Sequence, residues 1–267
     1  MGASLGLALK KRGVPVRIHA YARRPETRQA ALKLAIADAV FADPVEAVKG
    51  ADLVVFCVPV LTIPELAKAC RAGLKQGAIV TDVGSTKACL NELMAEVLAG
   101  TGAEFIGSHP ICGSEQQGIE AGDADLYDGA MTVVTPVALA DEASVEKVSS
   151  LWKSAGSAVT VMNAKQHDCI LAATSHLPHV AAAALALSAG DSGLFCGSGF
   201  RDTTRIAEGS PQVWSDIVRT NAPALKAALR IFCDNLNDLA MLVEEDDGEK
   251  LANWFAAARD KRKELLG

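Results

Sequence analysis

Over the first 160 residues, short continuous apolar runs alternate with stretches in which apolar positions return every three or four residues. The runs at 14–21, 39–41, 52–59, 78–83, 104–109, 130–136 and 157–162 read as strands. The segments at 25–36, 44–48, 63–72, 87–98 and 141–155 read as helices. Strands without internal polar alternation suit a sheet covered on both faces. Strand-helix alternation at this spacing predicts a doubly wound, mostly parallel α/β sheet. After residue 163 the strand pattern stops, and helices are predicted at 166–188, 211–220, 221–244 and 247–265, with a glycine-rich break at 190–199. The predicted division is therefore 1–163 and 164–267. Residues 1–13 read as a helix closed by Gly13, feeding the strand at 14–21. Such a helix is normally preceded by a strand and a glycine-rich turn. Gly2 reads as the last glycine of such a turn, so the true start is expected upstream.

Composition narrows the function. A formal charge of −6 over 267 residues, with 22% charged side chains, argues against a nucleic-acid surface or a polybasic membrane patch. No apolar run is read as reaching the roughly 20 residues that span a bilayer, and no signal peptide is read, so a cytoplasmic protein is expected. The seven cysteines are scattered and form no C-x-x-C pair, as expected of reduced thiols.

Four constellations carry candidate chemistry. Gly107-Ser108-His109-Pro110 ends an apolar run, and a histidine there is expected at the sheet's carboxyl edge, where open α/β sheets bind ligands. Small residues and Glu115 follow. Asp82-Val83-Gly84-Ser85-Thr86-Lys87 ends the neighbouring strand. Ser85 either caps the next helix or holds an imidazole on the same rim. Ser175-His176-Leu177-Pro178-His179 sits inside an otherwise Ala/Leu helix. Pro178 frees the Thr174 carbonyl, and the polar residues gathered at the kink suggest a pocket lining. Metal binding is a rival reading, because His176 and His179 share a face, but no third ligand is apparent. Finally, Arg205 lies among small and apolar residues, where a guanidinium fork suits a carboxylate; Ser210 and Pro211 then start the helix that carries Trp214. At the first strand's end, Tyr21 is followed by Arg23 and Arg24 and no acid, which points to the 2′-phosphate of NADP over NAD.

In series, D-V-G-S-T-K, G-S-H-P-I-C-G-S-E, S-H-L-P-H and F-R-D-T-T-R-I-A, with Trp214 beyond, resemble the prephenate/arogenate dehydrogenase family of tyrosine biosynthesis. The resemblance covers essentially the whole chain. It implies a Rossmann-like nucleotide domain, an all-helical dimerisation domain and a homodimer. It implies oxidative decarboxylation of a cyclohexadienyl acid: prephenate, or alternatively arogenate. A truncated, non-catalytic dimerising remnant is the third reading. Carried over by motif, His109 would take the proton of the ring 4-hydroxyl and Ser85 would orient the imidazole. Arg205 would bind the departing carboxylate. His179 and Ser175 would hold the side chain, with Glu115 and Trp214 as gate and wall. Gly2, Tyr21, Arg23, Arg24, Val58, Pro59 and Asp82 would line the cofactor, with no metal.

Overall fold

The computed structural model describes residues 1–113, 118–191 and 193–267. By packing, the described chain falls into two compact units, Met1–Ala222 and Pro223–Gly267.

In the first unit, helix α1 (Gly2–Lys11) precedes β1 (His19–Tyr21), α2 (Pro25–Lys33), β2 (Ala39–Phe41) and α3 (Pro44–Val48). Strands β1 and β2 pair in parallel as a separate two-stranded sheet. The main sheet has the order β3 (Leu53–Phe56), β4 (Ile79–Asp82), β5 (Glu104–Ile111), β6 (Met131–Pro136), β7 (Ala158–Val161). Helices α4 (Ile63–Cys70), α5 (Ala88–Leu98) and α6 (Glu142–Ala155) connect these strands. All pairings are parallel except β5 with β6. The apolar runs become the strands because both sheet faces are covered. One core joins Phe56, Ile63, Val80, Leu90, Met94 and Phe105; the other joins Leu5, Ile79, Ile106, Tyr127, Val134 and Trp152.

The helix predicted at 166–188 is three segments: α7 (Ala164–Leu171), a π turn (Ala172–His176) and α8 (Leu177–Ser188). Pro178 lacks the N–H that the Thr174 carbonyl would take, and the wider turn is how the helix absorbs it. By length and composition this 25-residue stretch is apolar enough to cross a bilayer, contrary to the sequence reading. Its buried polar residues, His167, Asp168, His176 and His179, are instead used inside the protein. Helix α9 (Ser198–Thr204), a 3-10 turn (Arg205–Glu208) and α10 (Pro211–Thr220) complete the unit. The packing units do not divide at 163/164, because α7 packs on α5 and β6 and so joins the sheet's unit.

The second unit consists of most of α11 (Ala222–Glu244) and all of α12 (Gly248–Leu266). Asp247 caps α12 by accepting from the Glu249 and Lys250 amides. Ile231, Val243 and Phe255 are exposed on these helices.

Candidate active site

Strand β5 does not stop at His109 as the sequence reading expected. It runs on to Ile111, with His109 opposite Val133 of β6. On its other side, the β4 ladder reaches only Phe105. Beyond that point the strands part, and side chains replace the ladder. Asp82 Oδ1 accepts from the Ser108 amide at 3.0 Å, and Ser108 Oγ donates to the Asp82 carbonyl at 2.6 Å. Pro110 sits in this parted region, where its missing N–H costs no bond to β4.

Lys87 closes the gap. Its fully buried ammonium pairs with Asp82 Oδ2 and donates to the Ser108 carbonyl at 2.8 Å. The Gly84 amide also donates to Asp82 Oδ2, at 2.7 Å. Burial lowers the Lys87 pKa against the opposing pull of Asp82. The Asp82 carboxylate is thus turned inward and used up. The carboxylate expected to line a cofactor has its described bonds inside the protein.

The described partner of His109 is also not the one expected. His109 Nδ1 lies 2.9 Å from His167 Nε2, and His167 Nδ1 lies 2.8 Å from Asp168 Oδ1. Both imidazoles are buried. Among the described residues no bond joins the Ser85 side chain to His109; the described contact of the ring is with His167. Asp168 accepts twice more, from the Lys87 amide at 2.8 Å and the Ala88 amide at 2.9 Å, and so caps α5 from another helix. Burial first, then His167, Lys87 and His176, hold the His109 pKa well below 6.5. The ring is therefore neutral at neutral pH.

The polar string continues outward. Asn221 donates to the Asp168 carbonyl at 2.8 Å and lies 3.1 Å from His176 Nδ1. Burial pushes the His176 pKa down to about 4. Its Nε2 is buried without a well-formed partner, the Ser85 carbonyl supplying a weak one. His179 stacks on Trp214 with ring centroids 3.4 Å apart, and His176 meets the same indole edge-on at 6.3 Å. Gly209 permits this: a Cβ there would come within 2.5 Å of Trp214 Nε1 and 2.9 Å of His179 Cε1. The turn that begins with Arg205 packs on α8, which carries His179. Arg205 is exposed and Ser175 half-buried, while Glu115 lies outside the described residues.

The start of α1, beside the chain that leaves β5, has features that suit a dinucleotide. A cleft of about 380 Å³ opens at the start of α1, lined by Met1, Ala3, Ser4, Gly113, Gly118 and Gly122 among others. The first turn of α1 holds no acid, so its unpaired amides face the cleft with the dipole's positive end. Gly2 lets α1 approach the end of β3, because a Cβ there would lie 3.0 Å from Cys57 Cβ. Arg23 and Arg24 are exposed beyond β1, where Arg28 fixes the loop by donating to the carbonyls of Ala22 and Arg23. Val58 is half-buried and Pro59 exposed just past β3. No three-residue metal cluster exists among the described residues.

The chain matches two family models in succession: the prephenate dehydrogenase nucleotide-binding domain over residues 5–161, and the prephenate dehydrogenase dimerization domain over residues 163–257. The chain belongs to the prephenate dehydrogenase family. It is 32% identical to the cyclohexadienyl dehydrogenase of Zymomonas mobilis, over 98% of this chain and 92% of that one. Identity to the prephenate dehydrogenase of Bacillus subtilis is also 32%, over 98% and 72%. Among solved structures, the Aquifex aeolicus prephenate dehydrogenase in complex with hydroxyphenyl propionate and NAD+ superposes with a TM-score of 0.91 at 31% identity, covering 98% of this chain and 94% of that one. Synechocystis arogenate dehydrogenase gives 0.84 at 27%, covering 99% and 96%. Family membership makes the chain an oxidoreductase that uses a nicotinamide dinucleotide. Of the residues singled out in sequence, the structure brings His109, His176, His179 and Trp214 into one network, and the residues that join it, His167, Asp168 and Asn221, as well as the closure by Lys87, were not singled out. The signal available was the adjacent His167-Asp168 pair at the start of an apolar helix.

Proposed function

We propose that the chain catalyses oxidative decarboxylation of prephenate to 4-hydroxyphenylpyruvate, with His109 as the base. The observation that carries this is a buried, neutral imidazole on β5, tied by a string of hydrogen bonds to His176 of the π turn, whose ring meets the Trp214 indole on which His179 stacks. His109 Nε2 accepts the proton of the ring 4-hydroxyl as the hydride leaves that carbon. The bound nicotinamide supplies the hydride acceptor. The bond to the ring carboxylate breaks, its electrons restore aromaticity, and the proton returns to the phenolate oxygen. Arg205 binds the carboxylate that departs as CO₂. His179, Ser175 and Trp214 hold and wall the side chain, Glu115 serves the entrance, and Ser85 lies on the same rim. A positioned base contributes typically 10²–10⁴-fold.

For the cofactor, the start of α1 with Gly2 would take the pyrophosphate. Tyr21, Val58 and Pro59 would border the remainder, and Arg23 and Arg24 would favour the 2′-phosphate of NADP. The functional division is 1–163 and 164–267. A homodimer through the helical half accords with the matched dimerization model and with the apolar residues exposed on α11 and α12. A cytoplasmic location accords with seven scattered cysteines that form no C-x-x-C pair, as reduced thiols would be. Arogenate is the second reading, favoured by the likeness to the Synechocystis enzyme.

The test is an assay of prephenate and arogenate, each against NAD and NADP. Turnover of prephenate with the lower KM for NADP is expected, and Arg23→Ala/Arg24→Ala should raise the KM for NADP several-fold while leaving that for NAD unchanged. Absence of turnover in all four combinations would overturn the reading.

A further inference from the structure

A base that accepts a proton on Nε2 must carry its own hydrogen on Nδ1. Nothing in the histidine itself fixes that choice. The residues behind it do. Asp168, as a carboxylate, can only accept, so His167 Nδ1, at 2.8 Å from it, carries a hydrogen. If His167 is neutral, its Nε2 is a lone pair, and the 2.9 Å contact can form only when His109 Nδ1 donates. The alternative is a His167 imidazolium, which would donate to His109 and place the hydrogen on the wrong nitrogen of the base.

Two observations favour the neutral form. The Asp168 charge is already met by two amides at the positive end of α5. A cation at His167 would also be fully buried, beside the imidazoles of His109 and His176, with the Lys87 ammonium already acting on the same His109 ring. We infer that Asp168 and His167 are positioning residues that lock His109 in its Nδ1–H form, so that the Nε2 lone pair is the one presented to substrate. The inference rests on the assignment of His109 as base, but it concerns the resting protein and can be read without substrate.

The chain has five histidines, so ¹⁵N-histidine NMR can be assigned by single substitutions. Expected for the unliganded protein at neutral pH is a neutral His109 with its hydrogen on Nδ1, and a neutral His167 likewise. Replacing His167 by Leu should leave His109 a mixture of the two forms and lower kcat tenfold or more with KM little changed. His167→Gln, whose side-chain oxygen can still accept from Nδ1, should keep the Nδ1–H form and recover much of the rate. Should His167→Leu fail to fold, His167→Gln and the wild-type spectrum decide alone. A wild-type His109 protonated on Nε2, or a charged His167, would overturn the inference, as would a folded His167→Leu with unaltered kcat and spectrum. If the spectrum is as expected but no cyclohexadienyl acid is turned over, the assigned reaction fails while the lock stands.

Discussion

Two buried carboxylates, Asp82 and Asp168, sit near each other in the fold and have nearly the same first partners. Each accepts two backbone amides: Gly84 and Ser108 for one, Lys87 and Ala88 for the other. Lys87 even serves both, by its side chain and by its backbone. They differ in the third partner. Asp82 meets an ammonium, whose other described bond returns to the Ser108 carbonyl beside the same carboxylate, so the network closes on itself. Asp168 meets an imidazole, whose far nitrogen passes the bond on to His109. The same acid is thus structural in one place and, by the inference above, directive in the other. What separates them is where the partner's other bond leads.

The sharpest way to break the comparison is to remove the end of the open chain. His109→Asn should lower kcat by about 10²–10⁴-fold, the usual worth of a positioned base, with a KM within a few-fold of wild type. Steady-state kinetics with prephenate decide it, and a kcat near the wild-type value would sever Asp168 from catalysis. The matching cut in the closed pair should act on folding instead. Lys87→Met leaves Asp82 buried without its counter-charge, and breaking such a pair typically costs about 3–5 kcal/mol. Urea unfolding should show that loss.

The next effect is smaller and depends on pH. His176 hangs on Asn221 at the outer part of the open chain, with its pKa lowered by burial to about 4 from 6.5. Below pH 6.5 the unfolded chain takes up a proton there that the native protein refuses, so stability falls as pH drops from about 6.5 towards 4. One such group is worth about 1.4 kcal/mol per pH unit, or about 3 kcal/mol over the window. His109, whose pKa burial also lowers, adds a loss of the same sign. Urea midpoints between pH 7 and 4.5 should therefore decline steeply, and His176→Gln should flatten the slope by close to one proton.

This contrast also marks what could be read from the chain alone. The sheet was legible because strands covered on both faces must be apolar throughout, and runs such as 52–59 and 78–83 contain little else. Pro178 announced a defect in its helix, and the π turn is that defect. The partners of His109 were not legible, because His167 is 58 residues away and nothing local ties a β-strand tip to one face of α7. The inward bonds of Asp82 were not legible for a related reason. An acid at a strand tip looks the same in sequence whether it faces a ligand or fills the gap where two strands part. Only the lysine five residues on, folded back into that gap, tells them apart.

Arg205 extends the comparison to a charge left at the surface. Unlike Lys87 it is exposed, where solvent screens the interactions of its charge, so its removal should cost little stability. Its proposed work is on the substrate. A charge-assisted hydrogen bond to a carboxylate is worth about 1.5–3 kcal/mol, which corresponds to a rise in the KM for prephenate of roughly 10- to 150-fold on Arg205→Ala. The KM for the dinucleotide should stay within twofold, because the start of α1 and the Arg23-Arg24 loop are separate from the turn on α8. Arg205→Lys should recover only part of the loss, since an ammonium cannot make the paired fork contact. Equal rises in both KM values would mean that Arg205 supports the protein's shape and does not grip the acid.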